Sequence, residues 1–286
     1  MMRQATEIIS RLEKRSAQMR RDCIYMIYKA GAGHPGGSLS AADIVTALYF
    51  HEMDIDPKNP LWPDRDRFVL SKGHCCPVLY AALCARGFFG RENLDTLRQY
   101  HSLLQGHPDM RKTPGLDMTS GSLGNGLSIG LGMALSARTH HQNYRVFVLM
   151  GDGEQQEGCI WEAAMAAAHH RVGNLVGIID RNHLQLTGKT EEVLALGDLG
   201  AKWRAFGWRV IEIDGHNMEE ILDALGRTRA SEKPVMIIAD TVKGKGVSFM
   251  EGQVGWHSMV PNAQQARQAM KELSAKWGED DEGQQI

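Results

Sequence analysis

Two rhythms of hydrophobic positions run along this chain. Residues 3–30 carry Ile8, Ile9, Leu12, Met19, Cys23, Ile24, Met26 and Ile27 at roughly helical spacing and end at Gly31 and Gly33, which predicts one long amphipathic helix. Further on, apolar runs of strand length recur at 68–70, 146–150, 175–180 and 235–240, and 208–213, interrupted by Arg209 and Glu212, also reads as a strand. Between them lie segments with helical patterning at 41–51, 78–86, 127–138, 157–171, 199–206 and 218–227, and a last helix is expected at 264–276. The loop GAGHPGGSLS precedes the second helix, with Ser40 and Asp43 placed like a capping box at its start. Strands alternating with helices at this spacing imply an α/β fold, a doubly wound parallel sheet flanked by helices. No internal repeat and no Pro-, Ser- or Gly-rich linker divides the chain, so residues 1–286 read as one domain. The acidic end, residues 277–286, is expected to be a disordered tail.

Charge adds little beyond exclusions. With 32 basic and 34 acidic side chains, nucleic acid and anionic membrane find no electrostatic footprint. The five cysteines include one adjacent pair and no CxxC, a poor disulfide framework that fits a reduced, cytoplasmic setting. The first residues are charged and no apolar run reaches the length of a membrane span.

The densest chemistry lies between residues 146 and 188. The run 146–150 breaks into Gly151-Asp152-Gly153, whose glycines permit close backbone approach and positive φ, and Asp152 is presented at the carboxyl end of a strand. An alanine-rich helix and the run 175–180 complete a βαβ unit, with Asn182 just past its end. In an open parallel sheet, ligands sit outside the carboxyl ends of the strands, where helix N-termini direct free N–H groups at anions. One carboxylate, one amide oxygen, a backbone carbonyl and a bound diphosphate would make an all-oxygen site for magnesium. The plainer alternative is an ordinary βα turn followed by an Asn that caps a loop.

Four histidines fall in Gly- and Pro-rich loops: His34 in GHPGG, His74 in KGH, His107 in GHPD and His257 in GWHS. One such histidine is usually a solvated turn residue. Four lining one pocket could donate to phosphate or sugar hydroxyls and move protons near neutral pH. They lack the short spacing of a zinc site. Lys243 and Lys245, just after the last strand, form either a basic loop that closes on a diphosphate or a solvated loop, the second being the commoner case. His169 and His170 read as plain helix residues.

GDG followed by Asn182 after 28 intervening residues resembles the thiamine diphosphate signature. GHPGG, RDRFVLSKGH, GHP, GSLGNG, GDGEQQEG, WEAAMAAA, DRNHLQ and GWH together resemble the amino-terminal half of the transketolases, over most of the chain. The resemblance implies the thiamine diphosphate-binding fold. It implies Asp152 and Asn182 as metal ligands through their side chains and Leu184 through its carbonyl, the ion being magnesium or another divalent cation such as calcium or manganese. Gly153 would donate its N–H to the diphosphate, which His74 and His257 would also reach. Gly121, Leu123, Gly126, Glu157 and Asn182 would belong to the cofactor site, and His34, His107 and His257 would face the reacting ketose as catalytic groups. Glu157 and Glu162 resemble glutamates at the family's dimer interface. Ser122 stands where the family usually has proline, which touches local stiffness only.

The activity implied is transfer of a two-carbon ketol unit from a ketose phosphate to an aldose acceptor. The family's second domain, which holds the aminopyrimidine ring and its activating glutamate, has no counterpart in this sequence. The expectation is therefore the amino-terminal subunit of a split transketolase, active only with a separate carboxy-terminal subunit that carries the pyrimidine-binding domain, in a two-plus-two heterotetramer. Two alternatives stay open: the α subunit of a thiamine-dependent 2-oxo acid dehydrogenase or decarboxylase, and a cofactor-binding module without catalysis. The GHPGG, KGH and GHP loops favour transketolase, and the sugars stay unnamed.

Overall fold

The computed structural model describes residues 2–277. The long predicted helix is α1 (Met2–Ala30), which packs on α3, α4 and α10 below. The loop expected after it is helical in its second half. α2 (Pro35–Ser40) begins with Pro at its first turn, where the missing N–H is not needed, and α3 (Ala42–Ala47) runs into a π turn at Leu48–Glu52. Ser40 and Asp43 form no capping box, because tertiary partners claim both side chains. The Ser40 hydroxyl donates to Asp180 at 2.6 Å, and Asp43 takes a buried ion pair from Arg20 at 2.6 Å.

The remaining elements are β1 (Arg67–Leu70), α4 (Cys76–Arg86), α5 (Asn125–Thr139), β2 (Val146–Gly151), α6 (Gly158–His169), β3 (Leu175–Arg181), α7 (Thr190–Val193), α8 (Leu199–Ala205), β4 (Arg209–Asp214), α9 (Met218–Thr228), β5 (Val235–Asp240) and α10 (Ala263–Trp277). The helix expected from residue 157 starts one residue later. A separate 3-10 turn, Gly153–Gln156, precedes it, and Glu157 is its N-cap. Residue 277, expected in the tail, is the last of α10; residues 278–286 lie outside the described residues.

All five strands are parallel, in the order β1-β2-β3-β5-β4. The near-continuous apolar character of β1, β2, β3 and β5 follows from burial on both faces, whereas edge strand β4 exposes Arg209, Glu212 and Asp214. Phe68, Phe147, Leu149, Ile178 and Ile237 face a core built with α1, α4, α9 and α10, while Val69, Val148, Met150, Ile179 and Met236 face a second core with α5, α6 and α8. Each fully buried side chain of this size contributes about 1.5–3 kcal/mol. The chain leaves β3 on the α8 side to form edge strand β4 and returns on the α9 side to place β5 next to β3. That reversal puts the switch point of the sheet at the carboxyl ends of β3 and β5, where Arg181 pairs with Asp240.

Candidate functional site

A cavity of about 370 Å³ opens over the carboxyl ends of β2 and β3. Three of the loop histidines line it. The His34 ring lies 5.1 Å from that of His74 and 5.5 Å from that of His257, and His74 and His257 stack at 5.2 Å. Their convergence depends on the glycine pair of GHPGG. A Cβ on Gly36 would stand 2.7 Å from the Trp256 carbonyl oxygen, and one on Gly37 would stand 2.6 Å from Cys75 Sγ. Only glycine lets α2 approach both the SKGHC turn and the GWH turn. His107 stands apart at the mouth: it is exposed, and its ring lies 3.5 Å from the Cβ position of Gly121, which does line the cavity.

Burial holds the clustered imidazoles neutral. It lowers His34 and His74 to about 4, with His74 and Lys72 respectively adding to the effect, and His257 to about 3, helped by Lys243. His107 is lowered by the same cause. A neutral imidazole offers one N–H donor and one nitrogen acceptor. Lys243 assigns the tautomer at His257, because its ammonium can only donate and lies 3.0 Å from Nδ1. The N–H of His257 is therefore on Nε2.

Lys243 is not solvated. It is 2% exposed and its Nζ also donates to the Leu184 carbonyl at 2.8 Å. Burial lowers its pKa, while Cys75 and Asp152 oppose that shift. Lys245 is partly buried on the neighbouring turn.

The three expected ligand residues, Asp152, Asn182 and Leu184, border this same cavity. Asp152 is 2% exposed; Oδ1 accepts from the Gly153 N–H at 2.8 Å and Oδ2 from the His183 N–H at 2.5 Å. Burial and the nearby Asp180 raise its carboxyl to about 6. Asn182 Oδ1 accepts from the Leu184 N–H at 3.2 Å. The GDG glycines use ordinary φ values. A Cβ on Gly153 would stand 3.1 Å from that of Gln185, a close contact that a small shift of Gln185 could relieve. Among the described residues no group of three or more His, Cys, Asp and Glu side chains could hold a metal. A cation here would rest on one carboxylate, one amide, one carbonyl and an anionic ligand, the sparse protein set that magnesium accepts beside phosphate.

Gly121, Leu123, Gly153 and Glu157 lie on the lining. Gly126 does not; a Cβ there would fall 2.3 Å from Ser71 Oγ, so it packs the start of α5 against the turn behind the cavity. Glu162 is exposed on α6 and away from the lining, as are His169 and His170, and Ser122 is exposed at the mouth.

Sequence reasoning missed three buried charges. Glu154, 3% exposed, accepts from the Ser71 hydroxyl, from the Gly124 N–H at 2.7 Å and from the Gly151 N–H at 2.9 Å, tying together the SKGH, GSLGNG and GDG segments. Lys72, on the cavity lining, forms a buried ion pair with Asp180 behind it. A charged residue inside the apolar run of β3 was the available signal for Asp180. A larger cavity of about 760 Å³ opens on the far side of β5, beside Glu212, Asp214 and His216; of the residues singled out in the sequence only Lys245 lines it.

Comparison with known proteins identifies the family. The family model described as transketolase, thiamine diphosphate binding domain, matches residues 13–284. The chain is 47% identical to an apulose-4-phosphate transketolase subunit from Phocaeicola vulgatus, over 94% of this chain and 95% of that protein. It is 48% identical to the 6-deoxy-6-sulfo-D-fructose transketolase subunit SqwG of a Clostridium species, over 92% and 96%. Human transketolase is 38% identical over 92% of this chain but only 42% of its own length. The crystal structure of transketolase from Campylobacter jejuni superposes with a TM-score of 0.88 at 32% identity, covering 94% of this chain and 43% of that one. The chain thus spans about two fifths of these longer proteins and nearly the whole of the two shorter relatives.

Proposed function

The chain belongs to the transketolase family through its thiamine diphosphate-binding domain, and from that premise we propose that it is the subunit of a two-chain transketolase that holds the cofactor diphosphate and a divalent cation. The observation that carries the reading is the convergence of His34, His74 and His257 over a floor formed by Asp152, Asn182 and Leu184. These residues fit the group. Burial and Asp180 disfavour the charge on the Asp152 carboxylate, and of the two lysines on the lining Lys72 is already paired with Asp180, so a cation would relieve it; His34 Nδ1, also on the lining, is a buried polar atom without a hydrogen-bond partner.

In this reading Asp152, Asn182 Oδ1 and the Leu184 carbonyl hold the cation, magnesium by preference. His74, His257 and Lys243 hold the diphosphate, while the Gly153 N–H expected to join them is taken up by Asp152 Oδ1. Thiamine diphosphate, when bound, supplies the electron sink for the transferred two-carbon unit. The chain's own residues bind and orient. Neutral His34 and His107 reach the ketose from the mouth, where an imidazole can accept a hydroxyl proton and return it. Relatives covered almost end to end and named as transketolase subunits support a separate partner chain that completes the site, and we infer a two-plus-two assembly. The family match sets aside the 2-oxo acid dehydrogenase reading. Since those relatives are named for a sugar phosphate and a sulfosugar, we infer substrates with an anionic terminal group. Among the described residues no helix is long and apolar enough to cross a membrane.

Calorimetric titration of the assembled protein with thiamine diphosphate, with magnesium and then with a chelator, tests the reading. Binding that requires the cation supports it. Equal affinity in both buffers overturns the metal half.

A further inference from the structure

Asp180, next to the last residue of β3, is fully buried and gathers donors from four segments of the chain. The Ser40 hydroxyl reaches it from the end of α2 at 2.6 Å, the Lys72 ammonium from the SKGH turn, the Thr241 hydroxyl from just after β5, and Asn182 Nδ2 at 3.4 Å. Lys72 also donates to the Gly37 carbonyl at 2.9 Å, so it clamps α2 onto the same carboxylate.

An asparagine side chain has two ends of similar shape and opposite character. A cation accepts only the oxygen, so the amide must be held one way round. Two neighbours of Asn182 agree on its orientation. The Leu184 N–H can only donate and lies 3.2 Å from Oδ1, while the Asp180 carboxylate, paired with Lys72, can only accept and faces Nδ2. We propose that Asp180, held and neutralised by Lys72, is a positioning residue that fixes the Asn182 amide with its oxygen free for a cation in the cavity. Lys72 matters for a second reason. Without it, Asp180 would be a competing anion beside Asp152 and would draw the cation off its site. The inference rests on the reading of Asn182 as a metal ligand.

The test replaces the charge pair by apolar side chains, Lys72→Met with Asp180→Leu, and measures Mn²⁺ binding in the presence of thiamine diphosphate by electron paramagnetic resonance and calorimetry. Partners of metal ligands typically change affinity by about 10- to 100-fold when removed, and a loss at the lower end of that range is expected because the Leu184 N–H remains. Adding Asn182→Asp should restore affinity in this background, since a carboxylate has oxygen at both ends and needs no orienting neighbour. The same Asn182→Asp change in the otherwise native chain should weaken binding, because it sets a carboxylate against Asp180. A purely structural ion pair would change the melting temperature without this reversal of sign. A double variant that binds Mn²⁺ like the native protein, or a triple variant no tighter than the double, overturns the inference. If the double variant lacks the native circular dichroism, the near-isosteric Asp180→Asn takes its place, and rescue by Asn182→Asp decides in the same way. A native protein that binds no Mn²⁺ at all overturns the metal reading, and this inference with it.

Discussion

Replacing Asp152 by Asn should separate stability from binding. Burial and Asp180 lift this carboxyl from 3.8 to about 6, so its ionised form costs the fold about 3 kcal/mol at neutral pH. The direction follows from linkage. For an acid whose folded pKa is raised, the stability it contributes is fully present below 3.8 and is lost as pH rises through about 6. An amide has no charge to lose, so Asp152→Asn removes that cost. It keeps one of the two backbone bonds, from Gly153 or from His183, and gives up the other at about 1–2 kcal/mol. The net is a gain of about 1–2 kcal/mol at pH 7.5, a few degrees in melting temperature for a chain of this size. The gain should vanish near pH 5, where the remaining cost of ionisation about equals the lost bond, and turn into a small loss near pH 4, where the folded carboxyl is protonated. Magnesium-dependent binding of thiamine diphosphate should be lost at every pH. Scanning calorimetry across pH, beside titration calorimetry with the cofactor, gives both readouts. A variant less stable than the native protein at pH 7.5, or one that binds the cofactor unchanged, refutes the reasoning.

His74→Ala should chiefly weaken cofactor affinity, and His107→Ala should chiefly lower turnover of the assembled enzyme, because one ring is inside the cavity and the other at its mouth; equal losses of cofactor affinity in both variants would contradict these placements. The buried histidines set a pH dependence opposite in sign to that of Asp152. His74 is held at about 4 against an ordinary 6.5, so its contribution is present above 6.5 and is lost as pH falls toward 4, by about 3 kcal/mol. Urea unfolding at pH 6.5 and 4.5 should show a shallower pH slope in His74→Gln than in the native chain, and identical slopes would contradict it.

Four of the five strands were legible because burial on both faces leaves unbroken apolar runs, and β5 begins and ends where the pattern places it, at Val235 and Asp240; edge strand β4, with Arg209 and Glu212 exposed, showed only a broken pattern. α2 was not legible. Its Pro and two glycines have the composition of a loop, and its helical form rests on close packing against Cys75 and Trp256, which are distant in sequence. The ligand residues and loop histidines could be named from short motifs, and the fold brings all of them to one cavity except His107 at its mouth and Gly126 behind it. The burial of Lys243 was not legible because its partners, the Leu184 carbonyl and His257 Nδ1, lie on other loops and the first has no side-chain signature. Glu154 escaped notice for the same reason: two of its three donors are backbone N–H groups.

Ketol transfer by purified chains tests the central claim most directly. This polypeptide is supplied with magnesium, thiamine diphosphate, a ketose phosphate donor and an aldose phosphate acceptor, first alone and then with a second chain carrying the pyrimidine-binding domain. The account predicts no exchange from the chain alone and exchange once both chains are present. Turnover by the lone chain in the common enzyme range of about 1–1,000 per second would contradict it.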